Sequence, residues 1–158
     1  MLHPVWHHQH FRSCCQMSKN KTWFLDIDGT MLQHRNNIQI GNSQDAGTAG
    51  TEDDGEQILP YVNEFLDTIP ETDQIVLTTA RKVEHREITE KALERFDILK
   101  RVDSIVYDIN SGPRILVNDI KPAGSEDNPE NEEVQTAYAV NVNRNEGLRH
   151  LINDEGLC

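Results

Sequence analysis

Thr22-Trp23-Phe24-Leu25-Asp26-Ile27-Asp28-Gly29-Thr30 is the stretch from which the fold is read. Thr22 to Ile27 is short and mostly apolar, as a strand is, and Asp28-Gly29 supplies a turn signal where the apolar run stops. Asp26 and Asp28 leave the strand end on the same side, because strand side chains alternate with a period of two. Strand carboxyl ends are where open α/β sheets bind ligands. One such carboxylate has the chemistry to attack phosphorus and form an aspartyl phosphate. The other can move protons to the leaving group and then from water. Gly29 permits the tight backbone exit that aims both at one substrate. A bare Asp-x-Asp would read as two solvated acids in a turn; the apolar strand before it and Gly-Thr after it favour chemistry.

Outward from this stretch, Gln33 to Glu56 turns polar, holds four glycines and shows no periodicity, so it reads as a flexible loop. Ile58, Val62, Phe65, Leu66 and Ile69 then share one helical face, and Pro70 closes that helix. Gln74 to Thr79 is a second strand whose nearly continuous apolar run fits burial on both faces. Arg81 to Phe96 reads as a helix, with Ile88, Ala92 and Phe96 at spacings of four. Ser104 to Tyr107 is expected to be a third strand, and Arg114 to Val117 a fourth that ends at Asn118-Asp119. Ser125 to Glu133 carries five acids and a proline and reads as a solvated loop. Thr136 to Val142 alternates as a last strand would. Strands alternating with helices imply an α/β fold, a three-layer Rossmann-like parallel sheet with helices on both faces. Trp23 and Phe24 are expected in the core, and Tyr107 and Tyr138 to be structural.

At 158 residues there is room for one domain, and an apolar share of 36% leaves part of the chain for loop or tail. The formal charge of −12 argues against nucleic acid, whose backbone is held by clustered Lys and Arg. It does not exclude small phosphorylated substrates, since a bound cation inverts the sign of a local site. Cys14, Cys15 and Cys158 give no disulfide framework and point to a reducing, cytoplasmic setting. No apolar run reaches membrane-spanning length. His3, His7, His8 and His10 lack the spaced partners of a metal site. Residues 1–20 are expected to be a disordered extension or a start placed too far upstream of Met17, and residues 21–155 the folded domain.

Asp26 to Thr30, read as Asp-x-Asp-Gly-Thr, resembles the first motif of the haloacid dehalogenase-like superfamily. Three further stretches fit that resemblance. Ile75 to Arg81 is similar to the second motif, a strand ending in a Ser or Thr that binds the phosphoryl group. Thr79 is aligned to that role, with Thr78 as the alternative. Leu116-Val117-Asn118-Asp119 resembles the fourth motif, although its first acid is replaced by Asn118. Asn143 to Gly147 is similar to the tail of small members near the capsule-biosynthesis phosphatases. The resemblance implies Asp26 as nucleophile and Asp28 as general acid/base. It implies Mg²⁺ held by Asp26, Asp28 through its backbone carbonyl, and Asp119. It implies phosphate contacts from Thr79 and Gly29, and from a third-motif basic residue for which Arg114 is favoured over Lys121. Arg81 is weighed as an anion clamp against an exposed helix-start arginine.

The segments between motifs are too short for a substantial cap domain, so an open site is expected, suited to a bulky substrate or one shielded by another subunit in a homo-oligomer. The function implied is a Mg²⁺-dependent phosphomonoesterase on a small phosphorylated metabolite, phosphosugars before nucleotides. The alternatives are a catalytically silent domain of the same fold, and a phosphatase acting on phosphoprotein or nucleic-acid ends.

Overall fold

The alternating apolar runs do pair. In a computed structural model describing residues 20–152, β1 (Thr22–Asp26), β2 (Gln74–Thr78) and β3 (Ser104–Val106) form a parallel sheet in the order β1-β2-β3. The register sets Asp26 beside Thr78 and Thr78 beside Val106. The expected N-terminal extension, its histidines and the three cysteines lie outside the described residues, apart from the extension's last position, Asn20.

β2 is the central strand; Val76 on one face is half-buried, while Ile75 and Leu77 on the other are buried. They join Ile27, Met31, Leu59, Phe65, Leu66, Leu93 and Ile98 in one apolar core. Trp23 packs edge-on to Phe65 at 5.8 Å between ring centres, and its Nε1 donates to Asp73. That partner lets a polar-edged aromatic sit against the core. Phe24, expected in the core, is instead 56% exposed, because it points to the face opposite Trp23 and Leu25, which pack on the core.

The helices are α1 (Asn37–Asp45), α2 (Val62–Thr68), α3 (Arg86–Arg95) and the short α4 (Arg149–Ile152). The segment read as a flexible loop thus contains α1 and a 3₁₀ turn at Glu52–Asp54. α1 buries only Ile40, so it shows no apolar periodicity; a capping box between Asn36 and Gln39 starts it instead. α2 begins later than its apolar face suggests, after Pro60 and a left-handed Tyr61 with φ of 63°. The helix expected from Arg81 begins at Arg86, after a 3₁₀ turn at Val83–His85. Arg81 turns inward and Lys82 is extended.

The expected fourth and fifth strands are not formed. Arg114 to Val117 and Thr136 to Val142 carry no ladder among the described residues, and Ile115 and Val117 are each 87% exposed. A strand-like composition makes a strand only where a neighbouring edge accepts its backbone groups. Here the hydrogen bonds of this region go elsewhere: Lys121 and Val134 exchange both backbone bonds at 3.0 Å and close a loop of their own. The architecture is therefore α/β with a small three-stranded parallel sheet. No helix among the described residues is long and apolar enough to cross a membrane.

Candidate active site

The end of β1 is tied down before it turns. Ile27 N–H donates to Thr78 C=O, and the N–H groups of Met31 and Leu32 both fold back on Ile27 C=O. Gly29 takes φ of +86°, a left-handed conformation that a side chain would strain. A Cβ there would also lie 2.9 Å from the Arg144 side chain. The tail clasps this turn, with Asn145 N–H donating to Gly29 C=O and Asn145 Oδ1 accepting from His34 N–H. Tight geometry on both sides thus fixes where Asp26 and Asp28 emerge.

Asp26 is partly buried, its side chain 29% exposed. One oxygen accepts from Arg114 Nη2 at 2.7 Å, the other from Thr30 Oγ1 at 3.4 Å. Burial pushes its carboxyl above the ordinary range and the nearby Asp28 adds to this, while Arg114 opposes both. Asp28 sits in a different environment. Its two oxygens accept from Arg81 Nε and Nη2 at 2.8–3.1 Å, and Oδ2 also from Thr79 Oγ1 at 3.2 Å. Thr79 is fully buried with its hydroxyl on Asp28, whereas Thr78 Oγ1 points to Leu25 C=O.

Arg81 is 1% exposed and does not face solvent, so neither an exposed arginine nor an open anion clamp describes it. Beyond Asp28 its guanidinium reaches Glu56 at 2.9 Å from both Nη1 and Nη2, and Thr89 at 3.2 Å. Its charged form is strongly held: burial works against the charge, but the two carboxylates outweigh it. Glu56 escaped sequence reasoning because it lies in an acidic, glycine-bearing run that reads as solvated. Nothing periodic links it to an arginine 25 positions away. Its only local signal was its place at the close of Glu52 to Glu56, ahead of the apolar Ile58-Leu59.

Asp26, Asp28, Gly29, Thr79 and Arg114 thus form one connected cluster, and Asp119 stands outside it. Asp119 is exposed and bonded to Lys121 Nζ at 2.9 Å, which lowers its pKa. Among the described residues no group of three or more His, Cys, Asp or Glu is gathered to hold a metal ion. The physical reason is the missing fourth strand, which would have carried Asp119 to the sheet end. Of the two acids at the turn, one Asp26 oxygen has only the 3.4 Å Thr30 contact and is open to a hard cation, whereas both Asp28 side-chain oxygens are engaged by Arg81. Chemically, the cluster sets a partly buried carboxylate beside a guanidinium and a second, firmly held carboxylate. Compared with known proteins, the chain matches no family model, no curated protein and no solved structure.

Proposed function

We propose that the protein is a phosphomonoester hydrolase that works through an aspartyl phosphate on Asp26. The observation that carries this reading is the Asp26–Arg114 contact of 2.7 Å at the carboxyl end of a parallel strand, with Asp28 on the same turn. An arginine bonded to a carboxylate nucleophile is placed to bind the phosphoryl oxygens that the nucleophile must approach. Asp26 attacks phosphorus, forming the carboxyl O–P bond as the bond to the leaving alkoxide breaks. Asp28, entering this step protonated, gives that alkoxide its proton. Asp28 then takes a proton from water, whose oxygen attacks the same phosphorus; inorganic phosphate leaves and Asp26 is restored. Thr79 holds Asp28, and Gly29 keeps the turn clear of a side chain.

Mg²⁺ is the proposed cofactor, held by Asp26, Asp28 and Asp119, and when bound it neutralises charge on the phosphoryl oxygens. Asp119 joins that set if Arg114 to Val117 docks on the outer edge of β1, with the metal then replacing Arg114 on Asp26, because the five residues from Arg114 to Asp119 span about 16 Å of strand. This completes the three-layer Rossmann-like sheet with helices on both faces, and no substantial cap. The outer edge of β1 has no strand partner among the described residues, and Ile115 and Val117 are nearly bare, which supports such docking. The substrate proposed is a small phosphorylated metabolite such as a phosphosugar, at an open site in the cytoplasm that another subunit can cover. A silent binding domain is the rival reading, favoured by the engagement of both Asp28 oxygens with Arg81 and by the position of Asp119. Hydrolysis of an aryl phosphate with and without Mg²⁺ separates them. Turnover that needs Mg²⁺ and vanishes in Asp26→Asn supports the enzyme; no turnover under either condition supports the silent domain.

A further inference from the structure

Arg81 has five N–H donors, and all five are engaged. Nε points at Asp28, Nη2 is shared between Asp28 Oδ1 and Glu56 Oε2, and Nη1 bonds Glu56 Oε1 and Thr89 Oγ1. The guanidinium plane is therefore set from two sides, and Glu56 holds the side away from the turn. Thr89 cannot substitute for Glu56, since it makes one bond and donates its own proton to His85 C=O. Glu56 is itself anchored. Its side chain has no exposed surface and accepts from Arg35 Nη1 at 3.1 Å. Its backbone N–H donates to Asp54 Oδ1, which is paired with Arg95 at 2.7 Å. From Arg95 to Asp28 runs a continuous chain of bonds through Asp54, the Glu56 backbone and side chain, and Arg81, and each member is pinned by more than one bond.

We infer that Glu56 is a positioning residue for Asp28, acting through Arg81; this rests on the reading of Asp28 as the proton-transfer residue. Glu56 does not touch Asp28. What it supplies is the orientation of the one group that grips both Asp28 oxygens. Remove it, and the guanidinium keeps its bonds to Asp28 but loses the partner that fixes its plane. The carboxylate it carries then swings with it. Proton transfer demands that the donor oxygen lie within hydrogen-bond reach of the leaving oxygen, so this loosening falls on the proton-transfer step and not on phosphate binding.

Two substrates and one spectroscopic probe test this. An aryl phosphate with a good leaving group needs little protonation, and an alkyl phosphate needs much. Glu56→Gln should lower kcat for the alkyl phosphate by about 10²-fold, the cost of a misplaced catalytic group, with far less effect on the aryl phosphate and on either KM. Glu56→Asp keeps the charge but is one methylene short; it should fold where the glutamine variant does not, and show the same selective loss. Equal loss on both substrates, in step with a lower Tm, would mean a purely structural ion pair and would overturn the inference. The Arg81 Nη1–H signal, whose donor Glu56 engages, reads the brace without turnover in nitrogen-edited NMR. It should exchange slowly with solvent in the wild type and quickly in the Glu56 variants. An Nη1–H as protected in the variants as in the wild type would overturn the brace. A wild type that hydrolyses neither phosphate would instead sink the phosphatase reading, and the NMR comparison would still decide the role of Glu56.

Discussion

At Asp26, burial and the charge of Asp28 act against ionisation, and Arg114 alone among its charged neighbours favours it. A carboxyl raised in the folded state contributes its stability below the ordinary aspartate value of 3.8, and loses it as pH rises through the folded value. At neutral pH, then, the fold carries an anion that its surroundings disfavour relative to water. Asp26→Asn should raise Tm at neutral pH with no divalent cation present, and the gain should shrink toward nothing well below pH 3.8. Calorimetry at the two pH values measures it, and a gain independent of pH would contradict the assignment. Arg114→Ala removes an ion pair whose arginine is 42% exposed, so stability should change by only ~0–1 kcal/mol. Its effect should appear in phosphate binding, as a higher KM and weaker inhibition by inorganic phosphate. Arg81→Met is the opposite case. It leaves Glu56 buried without its main partner, and breaking a buried pair on one side costs about 3–5 kcal/mol, readable by urea unfolding.

α1 shows how an element can matter without burying much. Its capping box at Asn36 satisfies backbone donors that a helix start leaves open. The next residue docks the helix onto the loop after β2: Asn37 Oδ1 accepts from Lys82 N–H, and Asn37 Nδ2 donates to Ala80 C=O. That loop carries Arg81. Asn36→Ala should cost about 0.5–2 kcal/mol, and hydrogen exchange should quicken in α1 and around Arg81 together. Gly147 plays a comparable part in the tail. A Cβ there would sit 2.2 Å from Pro60 C=O, at φ of +79°, so Gly147→Ala should break the Leu148 N–H bond to Pro60 and unseat Leu148 from the core. The turn at Asp26 to Gly29 was legible in the sequence because its signals are local: an apolar strand, two acids on one side, a glycine where the backbone reverses. β1 and β2 were legible for the same reason. α1 was not, since one buried side chain gives no period, and its caps were the signal to weigh. The Arg81–Glu56 bond was not legible at all, because it joins two loops that only the fold brings together. Arg114 to Val117 has the composition of a strand, but an isolated segment cannot supply its own pairing partner.

At the scale of the fold, a sheet of three strands places one acid pair at its carboxyl end and, among the described residues, leaves β1 without a strand partner on its outer side. Next to the Arg114 that reaches Asp26, Ile115, Leu116 and Val117 present apolar side chains to water. Docking of that segment on β1 would connect fold, metal and activity, since it is the segment that carries Asp119. If it docks, amides from Arg114 to Asn118 should become protected from hydrogen exchange when Mg²⁺ and phosphate are added. Unchanged exchange would leave Asp119 outside the site and require another ligand. The central claim, however, is covalent chemistry at one residue, and it has a direct measurement. The protein is mixed with an aryl phosphate and Mg²⁺, quenched in acid and digested, and the peptide spanning β1 is weighed by mass spectrometry. The account predicts one added phosphoryl group on Asp26, absent in Asp26→Asn and still detectable in Asp28→Asn, where a good leaving group needs little protonation. A phosphoryl group on Asp28, or rapid hydrolysis with none on Asp26, would contradict it.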